Sequence, residues 1–302
     1  MRFAQPIAAW LVARPLHAVL GLAFTLLIPA FGQIVSGAAM TAIVLHHGWR
    51  TSMLYGLTAV VLVGAMVFVA AGPVQTIGLF ALAYWLPASA VAVLLVRTRS
   101  LTLAMQVVAI LALAGTLLIH AGLADPAAFW EQVLDEVAAG FRERGFGQYA
   151  DLLVSQQDVL ARQMTAVFVL MVWLQFVFAL ALGYGLFQAL PDNRARFGRF
   201  CDLNFGRVLA TVAAAASLLA WLVGAEWLAS LAYVSFAVFW LQGMALVHWL
   251  HTDGPLPVAA VVLVYVMLPI VGELLVVGLA LAGYSDAWLD FRARLRRGMP
   301  PQ

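Results

Sequence analysis

The sequence predicts an all-α fold, a polytopic bundle of transmembrane helices. The first observation behind this prediction is the composition, since 65% of the 302 residues are hydrophobic and only 10% are charged. In soluble domains about a quarter of the residues are charged. Second, eight hydrophobic stretches have about the length needed to cross roughly 30 Å of hydrocarbon. They cover 16–46, 53–71, 74–96, 101–122, 163–190, 208–223, 227–250 and 256–284.

The first and last stretches are too long for one simple span and too short for two. At 1.5 Å per residue, about 30 residues form a helix near 45 Å long. Pro29 and Gly32 interrupt the first stretch, and Pro269 and Gly272 interrupt the last. Each stretch is therefore either one tilted, kinked helix or a hairpin of two short segments. We expect eight to ten passes in total.

The positions of the arginines favour the hairpins. All 16 basic residues are arginine. If both long stretches cross twice and the N-terminus is cytoplasmic, only Arg142, Arg144 and Arg162 lie outside. Basic residues concentrate on the cytoplasmic side of membrane proteins. We therefore predict a multi-pass membrane protein with both termini in the cytoplasm.

One amphipathic insertion, 123–162, separates N-terminal membrane helices (1–122) from C-terminal membrane helices (163–292), which precede a cytoplasmic tail (293–302). Asp125 followed by Pro126 is typical of a helix start. Apolar residues then recur at helical spacing, and a second amphipathic helix leads into the next span. Seven carboxylates against three arginines predict an extracytoplasmic location. The insertion either lies on the membrane surface or serves as a lid or docking site.

The basic segment 191–207 is predicted to be an ordinary cytoplasmic loop. Its sequence, PDNRARFGRFCDLNFGR, contains four arginines among aromatic residues. Nothing else in the chain is typical of a nucleic-acid surface, so no nucleic-acid partner is expected.

No catalytic residues, metal or cofactor are predicted. The single cysteine, Cys201, excludes disulfide frameworks and multi-cysteine metal sites. The sequence contains no lysine and no zinc-protease, serine-hydrolase or Walker motif. His46 and His47 form only a polar edge at a membrane boundary. We therefore expect that the protein is not an enzyme.

Glu273 is the one carboxylate deep inside an apolar stretch. Ionised in hydrocarbon it would cost several kcal/mol, so it must pair, face water or be protonated. It is either a proton- or ligand-binding site or a cap on the first turn of a half-helix at a watery interface. With Gln242 and His248 it forms our set of candidate binding residues. The polar residues within the stretches are Gln33, Gln75, Gln106, His120, Gln175, Gln188, Gln242, His248 and Glu273.

The residues Asp286, Asp290 and Arg292, which we call the terminal clamp, are predicted to be structural. Asp290 and Arg294 have the i,i+4 spacing of a helical ion pair. Gln106, Gln175 and Gln242 are predicted to bridge helices by hydrogen bonds.

Three segments resemble the YybS-like family of bacterial membrane proteins: FGRVLA at 205–210, FWLQGMALVHWL at 239–250 and GYSDAWLDFRARL at 283–295. The resemblance implies an integral inner-membrane protein with a domain of unknown function. It also implies distant similarity to the substrate-binding membrane subunits of energy-coupling-factor transporters. The chain departs from those six-helix subunits by its additional stretches and by the 123–162 insertion.

These observations favour a small-molecule carrier, or the membrane-embedded substrate-binding subunit of one, because broken helices and a buried carboxylate mark transporter sites. The alternative is a non-transporting scaffold that docks other proteins through 123–162 and 191–207. The lipid bilayer is the expected partner under both hypotheses.

Overall fold

The computed structural model describes residues 4–28, 32–70, 72, 74–191 and 195–298. These residues form helices without a strand, which confirms the all-α prediction. The helices are α1 (Ala4–Ala13), α2 (Pro15–Leu26), α3 (Gly32–His47), α4 (Trp49–Val69), α5 (Val74–Thr98), α6 (Leu101–Gly122), α7 (Pro126–Glu143), α8 (Gly147–Ser155), α9 (Gln157–Gln188), α10 (Gly206–Val223), α11 (Glu226–Ala237), α12 (Phe239–Thr252), α13 (Val258–Leu289) and α14 (Phe291–Gly298).

The apolar helices match the predicted stretches closely. Among the described residues, seven candidate spans are long and apolar enough to cross a membrane. They are α4, α5, α6, α9, α10, the pair α11–α12, and α13. The protein is therefore an integral membrane protein by length and composition of its helices.

The chain divides into two compact units that are not continuous in sequence. The first comprises Met1–Val108 and Trp173–Gly198, and the second comprises Ala109–Val172 and Arg199–Gln302.

In the first unit the stretch 16–46 forms two helices that run antiparallel. A ring nitrogen of His47, at the end of α3, lies 3.2 Å from the carbonyl oxygen of Val12, just before α2 begins. The start of α2 and the end of α3 are therefore neighbours, as a hairpin requires. Pro29, the predicted breaker, lies outside the described residues, whereas Gly32 begins α3. Before the hairpin, α1 bends by 117° from α2.

In the second unit α13 folds back on itself. Its two halves, 258–270 and 272–289, meet at Val271, whose φ of −125° and ψ of 36° are not helical. Tyr265 of the first half contacts His248 of α12. Phe291, just after the second half, packs against a cluster that contains Leu246 and Trp249 of the same helix. On a straight helix residues 265 and 291 would be about 39 Å apart. The last stretch is thus a hairpin whose ends lie together.

Two glycines hold the second half of α13 against α12. A Cβ atom at Gly243 would overlap the backbone of Leu279, and one at Gly283 would overlap the backbone of Phe239. Small residues at such crossings let helix backbones approach closely and pack without a hydrophobic driving force. This contact fixes the level at which the two helices cross.

The insertion consists of α7 and α8, as the amphipathic pattern predicts. The Asp125 carboxylate accepts the N–H of Ala128 at 3.1 Å and caps α7. The indole N–H of Trp130 donates to the hydroxyl of Thr165 on α9 at 2.9 Å. Between the helices Gly145 has a φ of +83°, a conformation that glycine adopts without strain. The apolar face of α7 is therefore anchored on the first turns of α9.

Candidate functional site

A buried network of polar side chains joins α12 to α13. Gln242 is fully buried. Its carbonyl oxygen accepts the backbone N–H of Phe205 at 2.7 Å, and its amide nitrogen donates to Asp286 Oδ2 at 2.9 Å. The other carboxylate oxygen of Asp286 accepts the backbone N–H of Phe291 at 3.1 Å. Both ends of the Gln242 amide are thus occupied, and we assign this candidate binding residue to packing.

Arg292 balances the charge of Asp286. Its Nη2 lies 3.5 Å from Asp286 Oδ2, with 9% and 1% of the two side chains exposed. Burial lowers the pKa of the Arg292 guanidinium, and the neighbouring Asp286 carboxylate opposes that shift. An uncompensated buried charge costs several kcal/mol, so each partner requires the other.

Asp290 ends α13 instead of continuing it. Its φ of 48° and ψ of 61° are left-handed, and its carboxylate caps α14 by accepting the N–H of Ala293 at 3.3 Å. The ion pairs found among the described residues do not include Asp290 with Arg294. The left-handed turn is the physical reason, because the i,i+4 expectation assumed one continuous helix.

The buried network unites the three segments that carry the family resemblance. Phe205 belongs to FGRVLA, Gln242 to the α12 segment and Asp286 to the α13 segment. Segments far apart in the sequence therefore meet at one point of the second unit.

His248 holds the first half of α13 against α12. Its Nδ1 lies 2.8 Å from the carbonyl oxygen of Met244, and its Nε2 lies 3.3 Å from the hydroxyl of Tyr265. A neutral ring that donates through Nδ1 and accepts the tyrosine O–H satisfies both contacts. The ring also packs edge-on against Phe200. These contacts hold α12 and the first half of α13 together.

Glu273 lies at the turn of the second hairpin, in the first turn after Val271. It is exposed. It lines an open cavity of about 670 Å³ with residues of the same turn. Seventeen residues separate it from Asp290, about 25 Å along a helix. In a hydrocarbon core of roughly 30 Å, that distance reaches almost to the opposite boundary. This position fits a helix cap at an interface better than a site enclosed in the membrane.

A polar cavity lies in the first unit, beside the start of α3. Its volume is about 250 Å³, and its polar lining residues are Gln33, Ser36, Thr76 and Tyr84. The Gln33 carbonyl oxygen accepts from the Gln175 amide at 3.3 Å. No charged side chain lines this cavity. The cavity thus offers hydrogen-bond donors and acceptors from uncharged side chains within an otherwise apolar bundle.

Ser36 has a defined role at the wall of this cavity. The indole N–H of Trp85 donates to its hydroxyl oxygen at 2.8 Å, and both residues are buried. The hydroxyl proton of Ser36 remains to be donated, since a hydroxyl is one donor as well as an acceptor.

Sequence reasoning did not select this cavity. Gln33 and Gln175 stood out as polar residues in apolar stretches, and their bridge agrees with the predicted role of Gln175. Tyr84, Thr76 and Ser36 are ordinary residues of apolar helices. The available signal was Gln33 beside Gly32, at the break of the first long stretch, which is where polar groups gather in transporters.

Cys201, Asp202 and Asp253 bring three ligand-type atoms within 4.8 Å of one another. Arg199 already engages both carboxylates, at 2.8 Å from Asp202 and 2.7 Å from Asp253. Hydrogen bonds to these carboxylates raise the pKa of the Arg199 guanidinium. The group is therefore an ion-pair network that ties Arg199 and Asp202 of the loop to Asp253, directly after α12. Arg194 lies outside the described residues.

No known protein family, curated protein or solved structure matches this chain. Fold and sites define a class, an α-helical integral membrane protein with two helical hairpins. The resemblance to the YybS-like family stays a prediction.

The buried network predicts a structural role for Asp286. Asp286→Ala leaves the Arg292 guanidinium, the Gln242 amide and the Phe291 N–H without their acceptor, so we expect a loss of about 3–5 kcal/mol in the free energy of unfolding. Asp290→Asn keeps both a capping side chain and a residue that tolerates the left-handed backbone, so it should change the free energy of unfolding by only a few tenths of a kcal/mol. Thermal unfolding and membrane abundance of both variants measure the difference. Normal stability and abundance of Asp286→Ala would contradict the structural role.

Proposed function

We propose that the protein binds a small, uncharged polar molecule within the membrane, as a carrier or as the substrate-binding subunit of one. The observation that carries the proposal is the polar cavity of about 250 Å³ at the break of the first hairpin. Binding sites of transporters are typically formed where a membrane helix is discontinuous. The protein itself needs no catalytic chemistry for this role.

Hydrogen-bonding capacity supports an uncharged substrate. Gln33 and Tyr84 line the cavity. The described hydrogen bonds use neither the amide N–H groups of Gln33 nor the hydroxyl proton of Tyr84, so both can donate to a solute. The cavity offers no charge to compensate an ion, whose transfer into the membrane is costly. Gly32, which lines the cavity at the start of α3, lies 15 residues before His47, about 22 Å along the helix. A solute there lies inside a hydrocarbon core of roughly 30 Å, in the half farther from His47.

We also propose that the protein resides in a bacterial inner membrane with both termini in the cytoplasm. In the first unit the hairpin brings Arg14 and Arg50 to the same end, because α2 starts beside the end of α3. In the second unit Arg292 lies near Asp202 of the basic loop. Concentration of arginines at these ends supports their cytoplasmic location.

Protein docking through 123–162 and 191–207 is the second candidate function. It is favoured by the exposed apolar side chains of α7 and α8, which include Phe129, Phe146, Tyr149 and Leu152. Its test is photo-cross-linking in native membranes from a photoreactive residue at Tyr149. A defined protein adduct supports docking, and labelling of lipid alone contradicts it.

Substitution of Gln33 tests the carrier proposal. The purified protein is screened by thermal unfolding against uncharged polar solutes such as polyols, amides and nucleosides. A solute that binds only the folded state raises the free energy of unfolding by about 2.7 kcal/mol at one hundred times its dissociation constant. Gln33→Leu removes the cavity's amide and should abolish the stabilisation.

Gln75→Leu is the matched control, since Gln75 is exposed on α5 and does not line the cavity. It should respond to the solute as the wild type does. The proposal fails if Gln33→Leu folds and is stabilised as strongly as the control.

Cysteine labelling tests the orientation. In a Cys201→Ala background, Ser155→Cys should react with a membrane-impermeant maleimide on intact cells. Arg196→Cys and Leu295→Cys should react only after the cells are permeabilised. Reaction of Leu295→Cys on intact cells would place the C-terminus outside and contradict the proposed orientation.

A further inference from the structure

A second, larger cavity in the first unit differs from the polar one in chemistry. Its volume is about 860 Å³, within the range of roughly 300–1,000 Å³ that ligand pockets occupy. It is lined by residues of α1, α2, α3, α4 and α9, and none of them is charged. The hydroxyl of its one threonine, Thr25, donates to the carbonyl of Leu22. An occupant of this cavity finds apolar contacts and no free hydroxyl.

The cavity extends along the helices. Leu62 and Met66 of α4 line one end, about 18–24 Å along the helix from Arg50. Ala189, directly after α9, and Trp10 of α1 line the other end. The α9 helix runs beside α3 in the same direction, since Ala179 lies against Gly37 and Gly183 lies against Thr41. Ala189 is therefore level with the end of α3. A long apolar space of this kind fits an extended hydrocarbon chain.

A basic residue lies just beyond one end of the cavity. Arg14 directly follows α1, whose residues Trp10 and Leu11 line the cavity, and it is exposed. The ion pairs of the described residues do not involve it. An arginine at the membrane surface attracts anionic lipid headgroups.

Two histidines hold α1 in place as the wall at this end. His17 Nδ1 lies 3.0 Å from the carbonyl oxygen of Trp10, and His47 Nε2 lies 3.2 Å from that of Val12. The last carbonyls of a helix have no partner within the helix, so these contacts satisfy two of them. The bend of α1 is therefore held by side-chain contacts, and it places Arg14 directly after a helix that lines the cavity.

We propose that this cavity binds an anionic membrane phospholipid, with an acyl chain between α1, α2, α4 and α9 and the headgroup at Arg14. This site is separate from the proposed solute site, although the two cavities share Leu27 and Ile28 at the turn of the hairpin.

Photo-labelling tests the proposal. The full-length protein is reconstituted with phosphatidylglycerol that carries a diazirine in its acyl chain, illuminated, and mapped by mass spectrometry. Adducts are expected on residues that line the cavity. Gly185 lines the cavity and has open space around its Cβ position. Gly185→Leu should therefore fill the space without a clash and reduce these adducts at least fivefold.

Gly78→Leu is the matched control, because Gly78 has equally open surroundings in the same unit but lies outside the cavity. It should label as the wild type does. Arg14→Gln should remove the preference for phosphatidylglycerol over phosphatidylcholine with the same chain. Equal labelling of Gly185→Leu and wild type, adducts spread over exposed residues such as Phe68, or no headgroup preference in the wild type would each overturn the proposal.

Discussion

The hydrogen bonds of the Gln242 amide are the interaction on which the second unit depends. They connect the loop before α10, the first turn of α12 and the end of α13 at one buried point. In a bilayer no water can replace a missing partner, so these hydrogen bonds spare the Gln242 amide the cost of an unsatisfied buried polar group. This requirement fixes where α13 ends and where α14 begins.

The return of α13 follows from this constraint. Val271 leaves helical geometry two residues after Pro269, which cannot donate a backbone hydrogen bond. Gly243 and Gly283 then let the second half lie directly on α12. A break, a close crossing and a buried polar anchor thus act together. The first hairpin is held differently, by histidine contacts to backbone carbonyls. Residues beside its break line the polar cavity.

Much of the fold could be predicted from the sequence, because apolar length and helix-start signals are local. The boundaries of α5 and α6 and the capped start of α7 at Asp125 follow from such signals. The polar cavity could not be predicted, since Gln33 and Tyr84 come from segments that are distant in the sequence. Gln242 was recognised as polar, but its partners, Phe205 and Asp286, are set by folding. For Glu273 the sequence left two interpretations open, and its exposed position at the hairpin turn favours the cap.

The distance between the two ends of α13 shows whether this helix folds back on itself. In a Cys201→Ala background, spin labels replace the exposed residues Val258 and Leu289, and double electron–electron resonance gives their separation in nanodiscs. A straight helix would place these positions about 46 Å apart. The hairpin predicts less than about half that distance, while a control pair at Trp49 and Val69 of α4 should show its helical separation of about 30 Å. A separation near 46 Å between residues 258 and 289 would contradict the account.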